Sequence, residues 1–154
     1  KPYKVFRKGE LKIGVFGIGI ELKGLVPKKL YQHTVYQDPI ATANHYATLL
    51  KQKEKCNLVI CLSHLGFKYK NNKLSDLTFA SQTRDIDLII GGHTHTFLKN
   101  PVIQLNLNNK EVLINQVGWA GINIGKVDFH FRRNGDKKKV FGQSIFVKDN
   151  LKSI

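Results

Sequence analysis

Asp85-Ile-Asp-Leu-Ile-Ile-Gly-Gly-His-Thr-His-Thr96 decides how the rest of the chain is read. Four of the five residues from Ile86 to Ile90 are apolar, which predicts a buried strand. Two glycines end it, and His93 and His95 follow. Imidazole is the commonest side-chain ligand for a metal ion. Gly91-Gly92 lets backbone come close to a bound ion or phosphate. In open α/β sheets, ligands collect just beyond the carboxyl ends of the strands, where these histidines are expected.

Working outward, Leu58-Val-Ile-Cys-Leu62 reads as a second buried strand. It ends in Ser63-His64-Leu65-Gly66, again a histidine and a glycine at a carboxyl end. Asp38-Pro39 starts a helix, with Asp38 as N-cap and Pro39 in the first position. Ile40, Ala43, Ala47 and Leu50 form its core stripe. Tyr3–Phe6 and Leu11–Ile18 read as a hairpin turning at Gly9, and residues 21–37 as a connecting loop. Phe67–Lys73 is a basic loop, and Ser75–Gln82 a short helix with Leu74, Leu77 and Ala80 turned inward. The order from Val5 to His95 is β-β-α-β-α-β, so the fold class is α/β. After Pro101 only strands are predicted. Val102–Leu107 and Glu111–Asn115 flank the turn Asn108-Asn109-Lys110. Ile122–Phe131 and Val140–Val147 flank the turn at Arg133–Asp136. One domain is expected over residues 1–148, with a tail over 149–154.

Lys and Arg outnumber Asp and Glu by 25 to 11, a net charge of +14 that favours anionic partners. Apart from Lys137-Lys138-Lys139 the basic residues are spread along the chain, as on a solvated surface. Cys56 and Cys61 read as free structural thiols. No apolar run approaches the roughly 18 residues of a membrane span, and no signal peptide is visible. The chain begins with Lys and contains no Met, so a processed chain or a fragment is expected.

Three histidines at strand ends suit manganese, zinc or iron. Two-metal hydrolase sites add a carboxylate that bridges ions roughly 3.5–4 Å apart. The only acids near these histidines in sequence, Asp85 and Asp87, lie at the wrong end of their strand. The site as written is therefore incomplete.

Ser63-His64-Leu65-Gly66 followed by Asp87-Leu-Ile-Ile-Gly-Gly-His-Thr-His95 resembles the calcineurin-like metallophosphoesterase superfamily, and more closely its 5′-nucleotidase and 2′,3′-cyclic-nucleotide phosphodiesterase group. The similarity also takes in Pro2-Tyr-Lys4, Gly9, Ile13-Gly-Val15, Asp38-Pro39 and Gly125-Lys-Val-Asp-Phe129. The resemblance implies half of a metallophosphoesterase fold: a mixed sheet sandwich layered with helices. It implies two divalent metal ions, with His64 and His93 on the second and His95 on the first. It implies hydrolysis of phosphomonoesters, 5′-nucleotides above all, in the intact protein, a role in nucleotide catabolism, and export to the periplasm, cell surface or medium. Asn115-Gln116-Val117-Gly118 falls beside the site and receives no role. The family's earlier Asp-x-His, Gly-Asp and Asn-His motifs do not precede His64. Asn44-His45, Asp128-Phe-His130 and Gly135-Asp136 match in letters but not in setting. The chain is thus expected to be the second half of a catalytic domain, inactive alone, with the first half as a partner. A homodimer through exposed sheet edges is a further expectation.

His33, His45 and His130 read as surface residues. Lys68, Lys70 and Lys73 read as a solvated loop, with phosphate attraction as the alternative. Trp119 reads as a packing residue, with stacking on a base as the alternative. Two rival functions are a basic nucleic-acid-binding module and a non-catalytic scaffold. The first lacks any helix-turn-helix, zinc-finger or RNA-binding motif, so no nucleic-acid partner is expected.

Overall fold

The structure is a computed structural model that describes residues 1–147, and for residues 137 and 138 the backbone alone. The expected tail, 149–154, lies outside the described residues. Six strands form one mixed sheet in the order β1-β2-β3-β4-β6-β5. They are β1 Tyr3–Lys8, β2 Leu11–Ile18, β3 Leu58–Ser63, β4 Leu88–Ile90, β5 Val102–Leu105 and β6 Glu111–Asn115. The inner strands β2, β3, β4 and β6 are mutually parallel, and β1 and β5 run antiparallel at the edges. All four parallel strands therefore end at one rim.

The helices are α1 Lys28–Tyr31, α2 Pro39–Thr48 and α3 Asp76–Ser81. Asp38 caps α2 by accepting from Ala41 N at 2.6 Å. The helix then loosens into one π-helical turn, Leu49–Lys53, which carries Leu50 fully into the core. Ser75 caps α3 in a reciprocal bond pattern with Thr78. Ala43, Ala47, Leu50, Phe79 and Ala80 meet Phe16, Val59, Cys61, Ile89 and Ile114 in a single core on the helical side of the sheet. Burying such apolar surface is the main force that holds a layer of this kind together.

β7 Asn123–Phe131 and β8 Lys137–Phe146 make a separate antiparallel ribbon. Gly125 of this ribbon lies against the Asn115 side chain. Asn115 neighbours core residue Ile114 and so points to the opposite face, which places the ribbon across the sheet's second side. Asn57 Nδ2 donates to Gly135 O and Ser144 N to Lys99 O, tying the ribbon to both ends of the sheet. The expected α/β architecture of a mixed sheet layered with helices is what forms.

Several boundaries differ from expectation for local reasons. The strand expected over Ile86–Ile90 is regular only from Leu88, because Asp85 is left-handed (φ 63) and Val59 N donates to the Asp87 carboxylate in place of a backbone carbonyl, while the Asp87 backbone still bonds Val59 O and Leu113 N. Asp87 Oδ2 accepts from Val59 N at 2.8 Å and pairs with Lys51 at 2.7 Å. The strand expected to reach Leu107 stops at Leu105, because Asn106 Oδ1 accepts from Asn108 N and Lys110 N and closes the turn early. The loop over 21–37 contains the short helix α1, which buries nothing. The last strand starts at Lys137, three residues sooner than expected.

Candidate functional site

The parallel strands bring the histidine motifs to one rim. His64 follows β3, and its N–H donates to Ile18 O at the end of β2, 2.9 Å away. His93 and His95 follow β4. The His64 and His93 rings stand edge to face with centroids 5.2 Å apart. Gly92 makes this approach possible: a Cβ there would sit 3.1 Å from His64 Nδ1. The His93 imidazolium is disfavoured by burial first, then by His64, Lys73 and His95, so all four groups share one field. His95 is exposed and lies parallel to the Trp119 ring, centroids 6.1 Å apart at 14°.

The loop that presents these histidines is held from below. His93 and His95 both have left-handed backbone, φ 69 and 51, which residues with side chains adopt only where their surroundings enforce it. Gln116, buried at the end of β6, supplies that enforcement with one amide. Its Nε2 donates to Gly92 O at 2.7 Å, and its Oε1 accepts from Thr94 Oγ1 at 3.1 Å and from Thr96 N.

Asp76 was missed in the sequence. It is fully buried beneath both histidine motifs. Ser63 Oγ–H donates to Asp76 Oδ1, Leu65 N donates to Ser63 Oγ, and Asp76 N donates to Gly66 O. Oδ2 faces Gly91, where a Cβ would overlap it, and it has no hydrogen-bond partner among the described residues. Burial raises this carboxyl to about 6, against the opposing pull of the Ser63 bond. The signal that would have found it is the capping pattern Ser75-Asp76-Leu77-Thr78, which fixes a carboxylate in the first turn of a helix facing the strands.

His33, His45 and His130 are exposed, as expected. Trp119 departs from its expected packing role. It is 58% exposed, because Gly118, Ala120 and Gly121 all take left-handed backbone (φ 78, 56 and 71) and turn the ring outward.

Two imidazoles at this separation fit as ligands of one transition-metal ion. No group of three or more His, Cys, Asp or Glu side chains among the described residues is arranged to hold a metal. The chain thus fits part of a donor set.

No family model matches the chain. It is 32% identical over 135 residues to the trifunctional nucleotide phosphoesterase protein YfkN of Bacillus subtilis, covering 87% of this chain and 8% of that protein. It is 28% identical over 173 residues to the 5′-nucleotidase of Vibrio cholerae, covering 99% of this chain and 30% of that one. The chain belongs to the calcineurin-like phosphoesterase superfamily, in its 5′-nucleotidase group. The fold agrees with that membership. The 5′-nucleotidase precursor of Thermus thermophilus superposes with a TM-score of 0.72 at 23% identity, over 94% of this chain and 29% of that one. The calcineurin-like phosphoesterase YfkN of Bacillus subtilis gives 0.65 at 21%, over 94% and 50%. Against both curated relatives, this calcineurin-like chain spans less than a third of their length.

Proposed function

We propose that this chain is the histidine-bearing half of a dinuclear metallophosphoesterase domain that hydrolyses phosphomonoesters, with 5′-nucleotides as substrates in the intact protein. The carrying observation is the His64–His93 pair, rings 5.2 Å apart at the carboxyl rim of a parallel sheet. In this reading His64 and His93 hold one divalent ion and His95 contributes to the other; manganese, zinc or iron suits such donors. When bound, these ions supply Lewis-acid polarisation of the phosphoryl oxygens. The chain's own residues do the positioning. Gln116 fixes the loop that carries His93 and His95. The Ser63–Asp76 bond fixes the start of the loop that carries His64. Lys73 adds positive charge beside His93, which favours a phosphate there.

The remaining ligands, including the bridging carboxylate, come from a preceding half of the domain. Leu62 and Ile90 support this. They end the two histidine-bearing strands on the face away from the helices, and are 48% and 45% exposed. A sheet face left apolar beside a partial metal site is suited to packing against the segment that completes it. Export of the intact protein is part of the same proposal; the similar Thermus thermophilus protein is named a 5′-nucleotidase precursor. So is pairing of two copies through the edge strand β5, where Ile103 and Leu105 are 56% and 49% exposed.

The test is hydrolysis of 5′-AMP and of an aryl phosphate with manganese, by this chain alone and by the intact protein. Turnover by the intact protein, its loss in His64→Ala and His93→Ala, and no enzymatic turnover by this chain alone are the expected results. Robust turnover by this chain alone overturns the half-site reading, and full activity in both alanine variants overturns the ligand assignment.

A further inference from the structure

Residues 21–37 join β2 to α2, and the fold leaves their apolar side chains in water. Leu25, Leu30 and Val35 are 50%, 69% and 81% exposed, and Tyr36 is 42% exposed. A solvated loop is ordinarily rich in Ser, Asn, Asp and Gly, which bond to their own backbone or turn it. Between Glu21 and Gln37 there is no Ser, Asn or Asp. Backbone closes the turns instead: Leu25 N and Val26 N donate to Leu22 O, Gln32 N to Lys28 O at 2.8 Å, and Thr34 N to Tyr31 O at 2.7 Å. The short helix α1 within the loop buries nothing. A cleft of about 590 Å3, lined by Leu22, Tyr31 and Val35 on one side and Pro39 and Thr42 on the other, separates the loop from the start of α2. The loop thus stands off the helix and does not collapse onto it.

Lys23, Lys28 and Lys29 are interleaved with these apolar residues, and all three are exposed. Glu21 is the only acid from 21 to 37, and Asp38, next in the chain, is taken up as the N-cap of α2. Exposed leucines set among lysines suit an anionic lipid surface. The apolar side chains enter the acyl boundary while the ammonium groups stay at the phosphates. Other partners fit less well. The cores of protein interfaces are depleted of lysine. A nucleic acid offers phosphates to the lysines but nothing to Leu25, Leu30 and Val35. The preceding half of the domain takes the face of Leu62 and Ile90, whereas this loop leads to the helical side of the sheet.

We propose that the segment from Lys23 to Tyr36 docks the protein on an anionic lipid bilayer. Leu25, Leu30 and Val35 enter the bilayer interface, and Lys23, Lys28 and Lys29 lie on its phosphates. The contact is peripheral, and it does not depend on the metal site. The loop leaves the sheet at Ile18, whose carbonyl accepts from His64 N, so docking holds the histidine rim near the lipid surface.

The experiment is co-sedimentation of the intact natural protein with vesicles of phosphatidylcholine alone, or of phosphatidylcholine and phosphatidylglycerol in equal parts. Binding to the anionic vesicles, and little to phosphatidylcholine alone, is the expected result. Lys23→Gln, Lys28→Gln and Lys29→Gln together should lower that binding about a hundredfold, at about fivefold per lysine. Leu25→Asn, Leu30→Asn and Val35→Asn together should lower it about tenfold or more with the charge unchanged. Lys53→Gln, Lys55→Gln and Lys110→Gln together remove the same charge from exposed positions at the opposite rim and should leave most of the binding in place. A wild type that ignores anionic vesicles overturns the proposal, and so does full binding by the asparagine variant. An equal loss in the Lys53 set overturns it too, because net charge alone would then do the binding. A last readout needs no substitution: amide exchange over residues 22–36 should slow when vesicles are added. Unchanged exchange there in vesicle-bound protein also overturns the proposal.

Discussion

Replacing Asp76 by asparagine changes how the stability of this fold depends on pH. The carboxyl is fully buried, with Ser63 Oγ–H as the donor to Oδ1 and Oδ2 facing Gly91. Burial raises it from 3.8 to about 6. The folded value lies above the unfolded one, so the fold favours the neutral acid. The contribution of Asp76 is therefore fully present below about pH 4 and is lost as pH rises through about 6. The shift is about two units at about 1.4 kcal/mol each, so about 3 kcal/mol is lost across this window. Asparagine keeps the shape and the acceptor for Ser63 but cannot ionise. Its cost is about 1 kcal/mol, because its amide NH2 takes the Oδ2 position facing Gly91, where the described residues offer no hydrogen-bond partner. Urea denaturation of both proteins between pH 3.5 and 7.5 gives the assay. The stability difference, wild type minus Asp76→Asn, should fall by about 3 kcal/mol across that range and leave the variant the more stable near neutrality. A difference that stays constant with pH would refute the reasoning, because it would mean that Asp76 has the same affinity for its proton folded and unfolded.

Three further outcomes follow from the structure. Asp38→Ala removes the N-cap of α2 and should lower stability by about 1 kcal/mol, read from the urea midpoint. Gln116→Leu leaves Thr96 N without its acceptor and Gly92 O with Thr94 N alone, and should cost about 2 kcal/mol; amide exchange over residues 92–96 should accelerate beyond the global change. Cys61 is fully buried, and burial pushes its thiol far up, so a disulfide reagent should label it only as the protein unfolds.

The parts of the architecture written in local pattern were readable from the sequence. Asp38-Pro39 announces a helix start, Gly9 a hairpin turn, and the runs Leu58–Leu62 and Ile86–Ile90 announce strands whose ends carry the histidines. What the sequence could not show was the work of side chains that replace backbone partners. Asp87 pairs with Val59 N and shortens its own strand, and Asn106 closes a turn from within a predicted strand. The same holds at the site. Asp76 and Gln116 look like ordinary polar residues of a helix start and a strand end, and only packing shows that each braces a histidine motif from 13 or more positions away in sequence. Trp119 was misread because an indole is ordinarily buried for its large apolar area. Three left-handed residues around it, one of them an alanine, reverse that outcome, and left-handed alanine has no sequence signature.

The central claim, that His64 and His93 ligate one metal ion in the intact protein, is tested most directly by X-ray absorption at the zinc edge on the zinc-loaded intact protein. Nitrogen neighbours at about 2.0–2.1 Å with the outer-shell scattering of imidazole rings are the expected first result. In His93→Ala the imidazole contribution should drop by one ring, and zinc content should fall with it. A zinc spectrum and content unaltered by His93→Ala would contradict the account.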